Sequence, residues 1–346
     1  KRNLVAVPML GGGPVMIENP PDAREVAGLA VRVRVTEPQT SSRMAIGVIE
    51  EILGDPQDPK VQIAIAVIGQ GLPTEFPEAV LEEVAQFPEP NDACEDGRRD
   101  LLDVVQVTID GADARDFDDA VGCVAEGSRY RIWVSIADVS HYVQTKTRLD
   151  AEAYQRGTSV YFPHAVLPML PERLSNDLCS LRPEVFRYAM TMEAVVGKDG
   201  IPQDVEVYPS LIKSRARLTY EDAESFLQDS TSNHAVDGIA EMVRHLGVVS
   251  NWIRDERMGR GAVDLDLPES KVVMDDDGRP KDVVLRPRLR ARKLIEDLMI
   301  KDIMIWGATG RLRLKRLGLT RWPRKGSVSP IITQLLRFAV HLGLDC

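Results

Sequence analysis

An α+β chain of more than one domain is predicted, with a small N-terminal β-barrel followed by a larger mixed α/β domain. Three observations predict it. Short apolar runs separated by Gly- and Pro-rich punctuation fill residues 4–67, as in all-β barrels built from brief strands. Beyond residue 100, alternating runs are mixed with stretches whose apolar residues recur at helical spacing. A length of 346 residues suffices for two domains, each with its own core.

In chain order, residues 4–7, 15–17, 29–35, 45–52 and 61–67 read as about five strands, with Gly11-Gly-Gly-Pro14 and Gly54-Asp-Pro-Gln-Asp-Pro59 among the turns between them. Such strands fit a barrel of the oligonucleotide-binding type over residues 1–84. Aromatics are almost absent from it and its charge is negative, so it is expected to touch a single strand weakly or to serve as a packing module. A short acidic helix with Glu78, Glu82 and Glu83 leads into a Pro-Glu-Pro-Asn-Asp linker within residues 85–97. The second domain is assigned to residues 98–346.

That domain opens on Val107-Thr-Ile-Asp110-Gly-Ala-Asp113-Ala-Arg-Asp116-Phe-Asp118-Asp119-Ala-Val121, with five aspartates in ten residues. Val105, Val107 and Ile109 read as a strand that delivers Asp110 into a Gly-Ala loop. Like charges so crowded raise one another's pKa and repel unless cations neutralise them. Carboxylates with water and phosphate oxygens suit Mg²⁺. A phosphodiester is then the natural substrate, since two such ions about 4 Å apart activate a water and stabilise a leaving oxygen. An Asp-rich surface turn explains the composition equally well, because Asp bonds its own backbone in turns. An EF-hand is set aside, as the Gly and terminal Glu are not at the required offsets.

Net charge is −10 with a pI near 5.2, which argues against general nucleic-acid affinity, because phosphates are met by Lys and Arg. The average hides an asymmetry: residues 1–150 hold 14 basic and 26 acidic residues, residues 151–346 hold 29 and 27. Residues 279–325 alone carry 15 Lys or Arg against 4 Asp or Glu. Cys94, Cys123, Cys179 and Cys346 are far apart, so neither a zinc site nor a disulfide framework is indicated and a reducing cytoplasm suits the chain. With no signal-peptide core and no apolar run of about 18 residues, neither secretion nor a membrane span is expected.

Tyr130, Ile132, Val134 and Ile136 alternate with Arg131, Trp133 and Ser135, giving a second strand beside the aspartates that Asp138 ends. His141 is expected to be a structural hydrogen-bonding residue and Cys179 a buried one. Lys213, Arg215 and Arg217 alternate as if along one strand, three cations on one face. A helix is expected to end at Gly259. Leu294, Ile295, Leu298, Met299, Ile303 and Trp306 recur at helical spacing, an amphipathic core helix.

The stretch from Thr108 to Val121 resembles the signature of the RNase II / RNase R (RNB) family of 3′-to-5′ exoribonucleases. Further matches follow in the family's order. They are Ile136-Ala-Asp-Val-Ser-His-Tyr-Val143, Arg156-Gly-Thr-Ser-Val-Tyr-Phe-Pro163, Pro168-Met-Leu-Pro-Glu-Arg-Leu-Ser-Asn-Asp-Leu-Cys-Ser-Leu181, Ser214-Arg-Ala-Arg-Leu-Thr-Tyr220, Gly261-Ala-Val-Asp-Leu-Asp-Leu-Pro268 and Leu294-Ile-Glu-Asp-Leu-Met299. They span most of the chain and favour the metal site over the turn. The resemblance implies a cold-shock-like OB-fold followed by an RNB catalytic domain.

Carried over position by position, the family's catalytic aspartates fall on Asp110, Asp116, Asp118 and Asp119, with Asp113 extra. Asp110 and Asp119 are implied to hold Mg²⁺, or Mn²⁺, directly and Asp116 through water, while Asp118 is most tied to cleavage. The base-stacking aromatic falls on Tyr161. Glu296 matches a glutamate near the active site, and its place inside an apolar run argues against an exposed helix acid. Beside this signature, Lys213, Arg215 and Arg217 are expected to follow an RNA backbone, and the late basic stretch, Arg290 included, to line an RNA channel. The implied activity is processive hydrolysis of single-stranded RNA to nucleoside 5′-monophosphates by a cytoplasmic monomer. Of this, only metal-dependent phosphodiester chemistry is supported independently by the carboxylates.

The sequence also departs from the pattern. Leu265 stands where most members have the Phe that partners the stacking Tyr, and Lys301, Asp302 and Ile303 replace an Ala-Asn pair and its neighbours. The family's late arginine motif would lie after Cys346, so a fragment is expected. Two rivals follow: an RNA-binding protein of this fold without turnover, and a metal-dependent phosphatase lacking a basic channel.

Overall fold

The computed structural model describes residues 4–9, 11–18, 22–93, 97–163, 165–228, 238–264, 268–275 and 278–299. Expectations for Leu265, for residues 301–303 and Trp306, and for the basic stretch past residue 299 lie outside the described residues. The chain divides into two compact units: Lys1–Glu75 with Val160–Leu167 and Glu269–Arg286, and Phe76–Ser159 with Pro168–Pro268 and Pro287–Cys346.

In the first unit β1 (Val5–Ala6), β2 (Val15–Ile17), β3 (Ala30–Glu37) and β4 (Ala45–Gly54) form a sheet ordered β1-β2-β4-β3, with α1 (Ala23–Val26) leading into β3. Gly47 permits the close approach of β3, since a Cβ there would meet the Val33 side chain at 2.7 Å and the Arg34 carbonyl oxygen at 2.8 Å. The expected fifth strand is instead part of α2 (Pro59–Gly69). Asp58 caps it by accepting from the Lys60 amide at 2.8 Å, and Pro59 sits in its first turn. These start signals outweigh the β-branched run of Val61, Ile63, Ile65 and Val67.

The second unit holds α3 (Glu78–Ala85), β5 (Arg99–Asp100), β6 (Val107–Asp110), β7 (Asp119–Glu126), β8 (Arg129–Ala137), α4 (Val139–Tyr142) and α5 (Arg148–Arg156). The hairpin β9 (Val160–Phe162) and β10 (Ala165–Leu167) belongs to the first unit. A π-helical turn (Arg173–Leu178), β11 (Phe186–Val196), β12 (Pro202–Lys213), β13 (Ala216–Thr219), α6 (Tyr220–Leu227) and α7 (Ile239–Gly259) continue the second. The hairpin β14 (Ser270–Met274) and β15 (Pro280–Leu285) returns to the first unit, and residues 290–299 form a further helix, α8, in the second. Although residues 1–84 read as one domain, α3 packs in the second unit: Val80 and Val84 are buried with Leu101, Leu149 and Leu174. No helix among the described residues is long and apolar enough to cross a membrane.

Seven strands pair in the order β13-β6-β7-β8-β11-β12-β5. Val121, Ile132 and Met192 face Val243, Leu246 and Ile253 of α7, whereas Ala120, Trp133 and Ala189 face α3, α5 and the π-helical turn. The alternation along β8 therefore separates two buried faces. Only Ser214 and Arg215 separate β12 from β13, a reach of about 11 Å. Five flat strand spacings would separate the same strands by roughly 24 Å. The sheet must therefore curl, and the chain crosses from one side to the other at Ser214, which bridges Pro183, and Arg215, whose amide donates to the Gln106 carbonyl at 2.8 Å. Lys213, Arg215 and Arg217 consequently do not share one strand face, contrary to their alternation in sequence.

Candidate active site

β6 ends on Asp110 and β7 begins on Asp119, and because the strands are antiparallel both carboxylates emerge at one end of the sheet. Their neighbours fix them: Thr219 of β13 is in register with Asp110, and Ile136 of β8 with Asp119. Gly122 admits this arrangement, since a Cβ there would lie 2.6 Å from the Val105 carbonyl oxygen. Loop 111–118 carries Asp116 and Asp118 between the strands. One Arg217 nitrogen donates to the carbonyls of Gly111 at 2.8 Å and Ala112 at 2.9 Å, and its guanidinium lies 5.3 Å from the centre of the Phe117 ring. At the far end the Ala137 amide donates to the Asp118 carbonyl at 2.9 Å.

Burial, together with the charges of Asp116 and Asp110, pushes the Asp118 carboxyl up to about 7. The residue has an exposed flank, so dense surroundings rather than sealed enclosure disfavour its charge, and solvent tempers the effect. Burial and the charges of Asp110 and Asp118 likewise push Asp119 up to about 7. Asp110 rises to about 6, mostly through burial, with the Arg217 cation opposing the shift. Buried Oδ2 atoms of Asp110 and Asp119 have no hydrogen-bond partner, a costly condition that a bound cation relieves. Among the described residues no three His, Cys, Asp or Glu side chains already form a metal cage. A few carboxylate oxygens with room for water and substrate are nonetheless a donor set that suits Mg²⁺.

The other expected site residues lie on several elements. Lys213 pairs with Glu184 at 2.8 Å, and Arg215 donates to the Leu102 carbonyl at 2.8 Å. Tyr161 lies on β9 opposite Val166 and is 64% exposed. Arg290 opens α8 and is exposed. Glu296 is exposed too, correcting the inference from its apolar surroundings; the buried acid of α8 is Asp297, which accepts from Ser250, Arg254 and Arg257 of α7, each at 2.8 Å. His141 is structural: its Nδ1 is 3.2 Å from Arg98, which also pairs with buried Asp138 at 2.7 Å. Burial pushes the Cys179 thiol up, out of its reactive range.

Sequence reading missed Tyr220 and Arg292. Tyr220 begins α6 directly after Thr219, and burial together with the Asp119 and Asp110 charges pushes its hydroxyl up. Arg292 lies 4.8 Å from its ring centre. The signal available was the capping box of Thr219 and Asp222, which fixes the helix start beside the strand that pairs with Asp110.

A curled α/β sheet with a carboxylate centre, preceded by a small β domain, defines the class of protein. The RNB domain pattern matches residues 98–309, more than half the chain, and a cold shock domain pattern matches residues 14–77. The chain belongs to the RNB family. Ribonuclease R of Thermotoga maritima is 41% identical over 260 residues, covering 73% of this chain and 36% of that protein. The chain thus spans about a third of the length of the curated relatives it matches. RNase R of Mycoplasma genitalium in complex with ribose methylated single-stranded RNA has a TM-score of 0.80 at 22% identity, over 98% of this chain and 59% of that one. The yeast pseudonuclease Ssd1 has a TM-score of 0.58 at 16% identity, over 82% and 36%. These two structures share the fold.

Proposed function

We propose that this chain carries the catalytic centre of a metal-dependent hydrolytic 3′-to-5′ exoribonuclease, a cytoplasmic monomer that degrades single-stranded RNA processively to nucleoside 5′-monophosphates. The observation that carries the proposal is the convergence of Asp110 and Asp119 at one sheet end, with an unpartnered buried oxygen on each. Asp110 and Asp119, with Asp116 beside them on the loop, are the residues that would hold Mg²⁺ or Mn²⁺. When bound, the cation neutralises the cluster and makes water a nucleophile at neutral pH. Asp118, raised to about 7, holds or releases a proton at its carboxyl near neutrality. Arg217 draws Asp110 toward its charged form and braces the loop. Tyr161 offers a face to a terminal base and Arg290 a charge to the backbone.

The relatives named Ribonuclease R and the Mycoplasma RNase R bound to single-stranded RNA support this reading. An RNA-binding protein without turnover is the second reading; the yeast pseudonuclease favours it, and the four aspartates oppose it. In the test, 5′-labelled single-stranded RNA collapses to a short labelled end product with Mg²⁺ and stays intact with EDTA. RNA that is bound yet intact in both supports the second reading.

A further inference from the structure

The segment 175–181 has no part in the chemistry above, yet it meets the middle of the aspartate loop. We infer that Ser180, held in place by Arg187, is a positioning residue that fixes Asp116 and with it the loop-borne half of the site. The inference rests on the function proposed above.

Ser180 is fully buried. Its hydroxyl accepts from the Phe117 amide at 3.1 Å and donates to the Arg115 carbonyl at 3.2 Å. Those groups lie on either side of Asp116, so one hydroxyl brackets it. The Leu181 amide adds a bond to the Phe117 carbonyl at 2.8 Å. Ser180 is fixed in turn by the π-helical turn, whose last bond runs from the Cys179 amide to the Leu174 carbonyl at 2.8 Å. Arg187, only 2% exposed, donates from Nε to the carbonyls of Asp177 and Ser180, both at 3.0 Å, and from Nη2 to the Asp177 carboxylate at 2.8 Å.

Loop 111–118 has no strand ladder at Asp116, and only the bond from the Ala137 amide ties Asp118 to β8. Repulsion among the carboxylates acts to spread it. A small side chain that both donates and accepts opposes that spreading; serine does this and alanine does neither.

Ser180→Ala tests the inference, with Ser210→Ala as a matched control: Ser210 is also buried, but its hydroxyl meets the Ala189 carbonyl and Thr191, away from the loop. Amide exchange is expected to accelerate over residues 115–119 in Ser180→Ala alone. Mn²⁺ affinity and single-turnover RNA cleavage are expected to fall roughly tenfold in Ser180→Ala, with RNA affinity unchanged and Ser210→Ala like wild type. In an Asp116→Asn background, Ser180→Ala should have no further effect on Mn²⁺ affinity. Unchanged exchange at Phe117 overturns the clamp, and faster exchange with unaltered Mn²⁺ affinity overturns its positioning role. Equal losses in both variants do the same. Wild type that neither binds Mn²⁺ nor cleaves RNA overturns the proposed function and the role of Ser180 with it, and is told apart by its own failure before any substitution.

Discussion

Asp110 and Asp119 are placed by strand pairing; Asp116 and Asp118 ride a loop that side chains and backbone amides hold from outside. The strand-end pair depends on β6, β7 and their neighbours β13 and β8, whose apolar residues are buried against α7 and α8. The loop pair depends on Ser180 and Arg217, which are far from it in sequence, and on Ala137 of the neighbouring strand. Ladder bonds and a packed core tolerate modest substitutions, whereas a few isolated hydrogen bonds are lost one atom at a time. The strand-end carboxylates should therefore form a durable seat for a cation and the loop carboxylates an adjustable one.

The largest effect expected on this contrast comes from removing a loop carboxylate. Asp118→Asn should lower the RNA cleavage rate by about 10³-fold or more while leaving RNA affinity near wild type. Single-turnover degradation and filter binding measure the two. Cleavage within a few-fold of wild type would remove Asp118 from the chemistry.

Next in size is the support behind the loop. Arg187→Ala leaves the Asp177 carboxylate, the Asp177 and Ser180 carbonyls and Glu89 without this donor. A loss of about 3 kcal/mol is expected in the unfolding transition of the second unit. Arg187→Lys, which keeps the charge without the fork, should lose less. Equal stabilities for all three proteins by denaturant titration would mean that the segment holds itself.

The electrostatics predict a pH dependence of intermediate size. Asp110 near 6 and Asp118 and Asp119 near 7 all lie above the usual 3.8, so without cations the folded state binds more protons than the unfolded one across pH about 4 to 7. Their contribution is fully present below the unfolded pKa and is lost as pH rises through the folded values. A divalent cation competes with those protons. Mg²⁺ should then raise Tm more at pH 8 than at pH 5.5 by differential scanning fluorimetry, and Asp110→Asn together with Asp119→Asn should abolish the difference.

Much of the strand-end pair was legible in the sequence, because alternation up to Ile109 and again from Tyr130 marks the strands that carry or flank the aspartates. The loop supports were not, since Ser180 and Phe117 are 63 residues apart and only the folded chain joins them. The β-branched run Val61 to Val67 reads as a strand by composition, but the helix start at Asp58 and Pro59 prevails. The run Lys213, Arg215, Arg217 kept its alternation across Ser214, where the curled sheet changes edges. In α8 a single step separates exposed Glu296 from buried Asp297. A step of about 100° turns one acid to solvent and the other toward the arginines of α7, a difference that apolar spacing without its partner helix does not resolve.

Arg217 touches both halves of the contrast and should produce the smallest shift. Its charge draws Asp110 downward, while its two carbonyl contacts hold the start of the loop. Arg217→Met removes both, Arg217→Lys chiefly the paired contact. In Arg217→Met the Asp110 carboxyl should rise further, moving the acid limb of Mn²⁺ binding to higher pH by about one unit or less. In Arg217→Lys that limb should stay in place while amide exchange at Ala112 to Ala114 quickens. If instead both variants move the limb equally, the brace rather than the charge governs Asp110, and the strand-end pair depends on the loop after all.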